Sequence, residues 1–348
     1  MNGRVYLDHN ATTPLRPEAR AAMLAAMEIG GNPSSVHAEG RAAKAVIERA
    51  RAQVAAALGA DGADVIFTSG ATEAAALALE GRGLHCGGIE HEAVLAWANA
   101  SCLVQSTGVV AVPDPAQTTL QLANSETGVV QPLPDGLAVS DLTQAFGKVP
   151  FAFNWLGLTA GFVSAHKIGG PKGIGALILR RGTDLAARIR GGGQEMGRRA
   201  GTENVIGIAG FGAAAQAAAR DLADGVWDGV AQLRNILETA LEAEAAGTIF
   251  VGNGGVRLPN TSCILTPGWK GESQVMQMDL AGFAVSAGSA CSSGKVRASR
   301  VLRAMGYEEA AAASAIRVSL GPQTVRQDVL RFADAWLDQQ RKFRLRAA

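Results

Sequence analysis

The stretch Ser164-Ala165-His166-Lys167-Ile168-Gly169-Gly170-Pro171-Lys172-Gly173-Ile174-Gly175-Ala176-Leu177-Ile178-Leu179 is the part of the chain around which the rest is organised. It joins a polar triplet, Ser164, His166 and Lys167, to a glycine-rich turn and an apolar strand. Glycines without a Cβ let the backbone approach a ligand closely. A lysine in such a pocket loses its proton readily and becomes a nucleophilic amine. An exposed loop lysine is the ordinary alternative, but the string is poor in surface residues and favours a functional Lys167.

The bulk composition bounds the kind of protein. The chain has 348 residues, 48% of them hydrophobic, enough for one large domain and a smaller one. A net charge of +1 gives no strong field that would attract nucleic acid or an anionic membrane. No signal region or apolar run of membrane length is evident, so a cytoplasmic protein is expected. The four cysteines form no C-x-x-C pair, which fits a reducing compartment rather than a zinc finger or thioredoxin motif.

The pattern of apolar residues predicts an α/β fold. Short apolar runs without clean alternation are typical of buried parallel strands, and they occupy residues 65–68, 84–89, 103–106, 119–123, 137–140, 162–164 and 175–179. Helices are predicted at residues 17–29, 39–58, 72–79 and 92–99, with two more within 206–245. After residue 247 the chain mixes strands at 248–251, 261–265, 284–286 and 316–319 with helices at 272–280 and 324–343. We predict a large α/β domain over residues 16–245 and a smaller α+β domain formed by residues 1–15 and 246–348.

Several polar strings follow predicted strands, where ligands of open α/β folds bind. Ser69-Gly70-Ala71-Thr72-Glu73 opens a helix, whose unpaired first amides suit a phosphate, although Thr72 could be a plain N-cap. His91 and Asp141 each follow a strand and could likewise simply begin helices. The glycine-dense loop 191–204 is an anion-binding loop or merely a flexible one.

Two residues in the last part of the chain indicate further chemistry. Cys291 lies among Ser, Ala and Gly, which suits an accessible nucleophile, whereas Cys263, beside Ile264 and Leu265, fits a buried structural thiol. Arg317 is a single arginine in an apolar strand, suited to clamp an α-carboxylate; an arginine at a sheet edge is the alternative.

Together these strings resemble those of the NifS/IscS-like cysteine desulfurases, class V members of the fold-type I pyridoxal-phosphate enzymes. The resemblance runs from Asp8-His9-Asn10-Ala11-Thr12-Thr13-Pro14 to Arg317. It implies an α/β fold with a large, mostly parallel sheet domain and a smaller α+β domain, and pyridoxal 5′-phosphate as cofactor. Lys167 would carry the cofactor as a Schiff base.

The resemblance also implies roles for the residues around Lys167. Ala71 and Thr72 would hold the cofactor phosphate, with Ser164 and His166 on the other side. This set of phosphate-binding residues would be completed across a homodimer interface by Thr202, which would reach the partner's phosphate.

The ring of the cofactor would be held by three further residues. His91 would stack on it and share in proton transfer, Asp141 would keep the ring nitrogen protonated, and Gln144 would lie near the ring hydroxyl. Lys167 would act as the base at the substrate Cα.

The implied reaction converts L-cysteine into L-alanine. Arg317 would hold the substrate carboxylate, and the thiolate of Cys291 would take the sulfur as a persulfide. The persulfide would pass to an acceptor protein such as an iron–sulfur scaffold. No nucleic acid or membrane is expected as a partner, and no metal is expected.

The chain departs from the family pattern in three ways. Ser125 stands where a second asparagine is usual, which puts its contact to cofactor and substrate in doubt, and Ala76 replaces another frequent asparagine. Segments before His91, Asn124 and Asp141 are short, so helices that normally cover the sheet are expected to be trimmed and apolar surface exposed. Two alternatives stay open. The first is another enzyme of the same fold, a selenocysteine lyase or an aminotransferase, and an aminotransferase would not need Cys291. The second is a non-catalytic scaffold.

Overall fold

The computed structural model describes residues 3–288 and 298–347. Its strands are β1 Val5–Tyr6, β2 Asp64–Thr68, β3 His85–Gly87, β4 Asn99–Cys102, β5 Val139–Asp141, β6 Ala160–Ser164, β7 Gly175–Leu179, β8 Ile249–Phe250, β9 Thr261–Leu265, β10 Phe283–Ala284, β11 Ser286–Ala287 and β12 Ala315–Ser319. Its helices are α1 Pro17–Met27, α2 Ala38–Ala57, α3 Ala71–Leu79, α4 Glu92–Leu95, α5 Val205–Ala223, α6 Val226–Glu244, α7 Gly271–Leu280, α8 Arg300–Ala304, α9 Glu309–Ala312 and α10 Arg326–Ala347.

The larger sheet is mostly parallel, as the sequence predicts. Its order is β2-β7-β6-β5, with β7 antiparallel to β2 and β6, and β5 parallel to β6. Parallel bridges from Val139 to Thr119 and from Thr118 to His85 continue the sheet to β3, which pairs in parallel with β4. The carboxyl ends of β2, β3, β5 and β6 therefore meet at one edge, where ligands of such sheets bind.

Helices cover both faces of this sheet because successive side chains of each strand point to opposite faces. On β2, Val65 and Phe67 join the apolar cluster that also contains residues of α2 and α5, whereas Ile66 joins the cluster formed with α3. A strand buried on both faces needs a continuous apolar sequence, which explains why residues 65–68 show no polar alternation.

The second sheet has the order β11-β12-β9-β8 and is antiparallel throughout. Helices α6 and α10 supply Trp227, Leu237, Phe332 and Trp336 to the apolar cluster against it, and Val5 and Leu7 join the same cluster. Strand β1 pairs with β10, which ties the N-terminus to this part of the chain. The division at residue 245 stays a prediction; because α6 packs into this cluster, we propose a boundary near Gly225.

Several elements differ from the sequence prediction. Residues 119–123 form isolated bridges instead of a strand, and residues 284–286 are divided between β10 and β11. The helix predicted over residues 92–99 ends at Leu95, because Asn99 already pairs with His85 at the start of β4. The strand predicted at 103–106 is reduced to one bridge between Val104 and Val110, and residues 99–102 form the strand instead. Pairing with β3 thus overrides the local apolar pattern.

The connections between parallel strands contain few helical residues, as expected. Between β3 and β4 the described chain holds the four-residue α4, and between β4 and β5 a short turn of 3₁₀ helix at Pro115–Gln117. Leu103 and Trp155 are among the large apolar side chains left exposed. In the described part of the chain no helix is both long and apolar enough to cross a membrane.

Candidate active site

A cavity of about 680 Å³ opens at the carboxyl edge of the larger sheet. That volume suits a cofactor with a small substrate. The predicted site residues that line it are Ala71, Thr72, His91, Ser125, Asp141, Gln144, Ser164, His166, Lys167 and Arg317. The structure therefore brings these side chains together from both sheets, while their individual roles stay predictions.

Lys167 lies on a short turn directly after β6. Its Nζ donates to the backbone carbonyls of Asn10 and Ala11, both at 2.8 Å. Burial, followed by the charge of Arg317, lowers the pKa of Lys167 to about 8 from a usual 10.5. The side chain is therefore a half-buried amine that can exist neutral close to physiological pH.

The turn after Lys167 is held by Arg16. Gly169 has a φ of +80°, and a Cβ there would lie 2.6 Å from the Arg16 side chain. Arg16 Nε donates to Ile168 O at 2.7 Å, and its guanidinium pairs with Asp221 at 2.7 Å. Glycine is needed at this position both for its backbone conformation and for the close approach.

The N-terminal segment closes the cavity from the other side. Asn10 is buried, and its side chain contacts Ser125 O, Thr261 Oγ1 and Asn260 Nδ2 at 2.9 to 3.1 Å. Thr13 Oγ1 donates to Lys167 O at 3.1 Å. The Asp8–Pro14 string thus forms one wall of the site and fixes the resting position of the lysine amine.

The start of helix α3 approaches the lysine segment closely. A Cβ on Gly175 of β7 would lie 2.7 Å from Gly70 backbone atoms, so glycine allows the two segments to meet. Glu73 accepts from Ser69 N at 2.8 Å and pairs with Arg199 at 2.8 Å. Although burial opposes it, the hydrogen bonds from Arg199 and Ser69 lower the pKa of Glu73. Thr72 is exposed at the mouth of the cavity, and the first amides of α3 carry the positive end of the helix dipole.

Asp141 is the last residue of β5, and Gln144 lies three residues further along the chain. Asp141 Oδ1 accepts from Thr143 N at 2.8 Å, and burial raises the pKa of the carboxyl while that hydrogen bond opposes the rise. Gln144 Nε2 donates to Asn10 O at 3.0 Å, and its Oε1 accepts from Lys148 Nζ at 2.8 Å. Gln144 is therefore tied to the same carbonyl as Lys167.

His91 caps helix α4 and borders the cavity. Its Nδ1 accepts from Ala93 N at 3.1 Å, which places the proton of the neutral ring on Nε2. The neighbouring Glu90 is 1% exposed; its Oε1 accepts from Gln121 N at 2.7 Å, and its Oε2 has no hydrogen-bond partner among the described residues. Burial raises the pKa of Glu90 well above its usual value. His91 thus caps α4 and also lines the cavity, while its role toward a cofactor stays a prediction.

Arg317 reaches the cavity from β12. Its Nη2 contacts Asp8 Oδ1 at 2.8 Å and its Nη1 donates to Ser125 O at 3.1 Å. Its Nε is buried without a partner in the part of the chain that the structure describes. Ser125 thus contributes its backbone carbonyl to these contacts. A guanidinium that lines a polar cavity suits an anionic ligand.

Ser164 and His166 flank Lys167 in the chain. Ser164 is buried at the end of β6, and His166 Nδ1 lies 3.2 Å from Thr12 Oγ1. Burial, followed by the charges of Lys167 and Lys172, lowers the pKa of His166 to about 4. His166 is therefore neutral at neutral pH, so one of its ring nitrogens donates a hydrogen bond and the other accepts one.

Among the described residues, Thr202 is the predicted site residue that does not join this cluster. Thr202 lines a separate cavity that shares Ser69 and Gly173 with the main one. The loop carrying it is held by Glu195, whose carboxylate pairs with Arg51 at 2.8 Å although its backbone has a positive φ of 48°. Cys291 lies outside the described residues.

Sequence reasoning missed the polar contacts that hold the site together. Asn10 and Asp8 were named as part of a string, but nothing in that string shows that it reaches Lys167 and Arg317 across the fold. Lys148 was missed entirely; its spacing of four from Gln144 in a short apolar stretch was the available signal.

Comparisons with known proteins agree on one family. The family model for aminotransferase class-V matches residues 5–105 and 110–332. A cysteine desulfurase of Frankia sp. (strain EuIK1) is 40% identical, over 95% of this chain and 90% of its own length. The NifS-like protein from Rickettsia africae ESF-5 superposes with a TM-score of 0.88 at 32% identity, covering 97% of this chain and 99% of that one. A structure of SspA in complex with cysteine has a TM-score of 0.76 at 26% identity, covering 92% and 100%.

Proposed function

The chain belongs to the aminotransferase class-V family, and we propose that it is a pyridoxal-phosphate-dependent cysteine desulfurase that converts L-cysteine into L-alanine. One observation carries the proposal. A single cavity holds a lysine amine with a lowered pKa, an aspartate at a strand end and an arginine with an unpaired buried Nε.

The residues present fit pyridoxal phosphate. The orphaned Nε of Arg317 and the positive end of α3 supply donors for anionic groups, and Lys167 supplies the amine that binds the cofactor aldehyde. Thr72 and Ser164 would hold the phosphate, and Asp141 would hold the ring nitrogen. When bound, the cofactor supplies an electron sink for charge that develops at the substrate Cα.

Lys167 also provides the base. As a free amine, Lys167 would be neutral in a useful fraction of molecules at neutral pH, because its pKa is about 8. It would remove the proton from the substrate Cα. His91 would share in proton transfer at the cavity mouth through Nε2, because its Nδ1 accepts from Ala93 N.

Arg317 would bind the α-carboxylate of cysteine. Its guanidinium is already oriented by Ser125 O and Asp8, so little side-chain entropy is lost on binding. The substrate carboxylate would compete with Asp8 for Nη2. L-cysteine as substrate is further supported by the cysteine bound in the SspA structure.

We assign the nucleophile to Cys291. The residues that flank its segment, Gly288 and Arg300, both line the cavity. Burial raises the pKa of Cys86 and of Cys263 to about 12, so neither thiol ionises readily near neutral pH. The Cys291 sulfur would bond to the substrate sulfur as the substrate Cβ–S bond breaks, leaving alanine and a persulfide.

The wider setting belongs to the same proposal. We infer a homodimer in which Thr202 of the partner subunit completes the phosphate site, since the chain's own Thr202 lies in an adjoining cavity. A sulfur acceptor such as an iron–sulfur scaffold would take the persulfide, consistent with a 36% identical relative named cysteine desulfurase IscS. We propose the cytoplasm as the site of action.

The test is single-turnover release of alanine from L-cysteine, and of sulfide after a thiol reductant such as dithiothreitol cleaves the persulfide, with the cofactor absorbance recorded alongside. Cys291→Ala should keep the yellow cofactor and release neither product. Cys102→Ala, which removes a half-buried thiol, is the matched control and should behave as wild type. Equal turnover by Cys291→Ala and wild type would instead indicate another pyridoxal-phosphate reaction. A wild type that stays colourless with added cofactor would favour the non-catalytic scaffold.

A further inference from the structure

A lysine that none of the roles above uses lies directly behind the cavity. Lys148 is 2% exposed, and its Nζ donates to Gln144 Oε1 at 2.8 Å. Burial, followed by the charges of Lys167 and Arg317, lowers the pKa of Lys148 well below its usual value. The other titratable groups that respond to Lys148 are His9 and His166, and the charge of Lys148 helps to lower the pKa of each.

Gln144 connects this buried amine to the cofactor lysine. Its Oε1 accepts from Lys148, while its Nε2 donates to Asn10 O at 3.0 Å. The same Asn10 carbonyl accepts from Lys167 Nζ at 2.8 Å. All three side chains thus share one hydrogen-bonded row that ends at the amine expected to bind the cofactor.

The orientation of a glutamine amide is set by its partners, because its oxygen and nitrogen ends have nearly the same shape. With a donor amine on one side and a carbonyl on the other, the observed orientation satisfies both ends of Gln144. Turned by 180°, the amide would present its oxygen to Asn10 O and its NH2 group to Lys148 Nζ. One oxygen–oxygen contact and one nitrogen–nitrogen contact would then replace the two hydrogen bonds.

We propose that Lys148 is a positioning residue that fixes the Gln144 amide with its NH2 group toward Asn10 and the cavity. The inference rests on the proposed function, in which Gln144 lies near the ring hydroxyl. An apolar side chain of similar length would be easier to bury than an amine without a carboxylate partner. It would leave Gln144 Oε1 without its donor and the amide free to turn.

A double-mutant cycle tests this assignment. The variants are Lys148→Met, Gln144→Met and the two combined. The readouts are the dissociation constant of pyridoxal phosphate by equilibrium dialysis and the pH midpoint of the bound cofactor's absorbance. Lys148→Met should weaken binding by about 3- to 10-fold, the range expected for one net hydrogen bond, and move the midpoint in the same direction as Gln144→Met. In the Gln144→Met background it should add nothing. Lys44→Met, at an exposed lysine of α2, is the control for loss of a lysine and should change neither readout.

Additive effects of the two substitutions would overturn the proposal, because Lys148 would then act independently of Gln144. Unchanged binding and midpoint in Lys148→Met would overturn it as well. If Lys148→Met does not fold, Lys148→Gln, which keeps an uncharged donor, replaces it. A midpoint nearer to wild type than to Gln144→Met then supports the proposal, and one equal to Gln144→Met overturns it. Both readouts need cofactor binding but no turnover. If the protein binds the cofactor but does not desulfurate cysteine, only the proposed function is refuted. If it binds no cofactor, the proposed function and the role of Lys148 are both refuted.

Discussion

The lowered pKa of Lys167 predicts how fast the cofactor-free protein captures pyridoxal phosphate, because only the neutral amine attacks the aldehyde. With a pKa of about 8, roughly one amine in ten is neutral at pH 7. With the usual 10.5, the fraction is roughly one in 3,000. Capture at pH 7 should therefore be about 300-fold faster than for an ordinary exposed lysine, and the rate should level off above pH 8.

Two substitutions should move the midpoint of this profile in opposite directions. Burial is the largest cause of the lowered pKa of Lys167, and the positive charge of Arg317 is the second. Arg317→Met removes that charge, so the midpoint should rise. A rise of about one unit would slow capture at pH 7 about tenfold and leave the rate above pH 10 unchanged. Asp8→Asn removes a carboxylate that raises the pKa of Lys167, so its midpoint should fall and capture at pH 7 should quicken.

The assay is stopped-flow absorbance of the cofactor mixed with cofactor-free protein between pH 6 and 11. Arg341→Met, at an exposed arginine on α10, controls for loss of an arginine and should keep the wild-type midpoint. A wild-type midpoint near that of a free lysine would refute the reasoning, since the two Asn10 and Ala11 carbonyls would then hold a charged ammonium. Midpoints that shift in the same direction in both variants would refute the assigned charges.

Three further outcomes are expected. Glu73→Gln should lower the free energy of unfolding by about 1 kcal/mol at neutral pH in urea titrations. Burial raises the pKa of Glu73, but hydrogen bonds from Arg199 outweigh burial and lower it. The stability difference between the variant and wild type should therefore vanish as the pH falls through the lowered pKa of Glu73. Arg317→Lys should raise the KM for L-cysteine about tenfold or more with a smaller change in kcat, because lysine cannot supply two parallel donors, and unchanged steady-state kinetics would contradict the carboxylate assignment. Arg51→Met should cost about 3 kcal/mol of unfolding free energy, because it leaves the buried Glu195 without its cation, and a thermal melt like that of wild type would contradict this.

The sequence predicted those parts of the site that follow strand ends. Ser69–Glu73, His91, Asp141 and Lys167 each come directly after an apolar run, so their convergence follows from a parallel sheet alone. The bounds of β7 and β9 were predicted without error because both strands are buried on each face. Local pattern sufficed wherever burial was uniform along the strand.

What the sequence could not predict depends on contacts between distant segments. The pairing of β1 with β10 and the contact of Asp8 with Arg317 join residues about 280 and 309 positions apart, and no local pattern encodes such a pairing. Helix α4 stops early for the same reason, because β4 gains its hydrogen bonds from β3. Buried polar residues such as Lys148 could not be predicted, because each is stabilised by a hydrogen bond to one specific partner.

Between β3 and β4 the described chain has only the four-residue helix α4, so other contacts must hold the cavity wall near His91. Polar side chains replace helix packing there. Gln121 Nε2 and Asn124 Nδ2 both donate to Ile89 O, at 2.8 and 3.1 Å, and Arg300 Nη2 donates to Glu90 O at 2.8 Å. These bonds hold the backbone just before His91 from three sides, and buried hydrogen bonds are costly to break. Each of the three donors comes from a loop or a helix end beside the cavity. The wall near His91 therefore does not depend on a long helix packed over this part of the sheet.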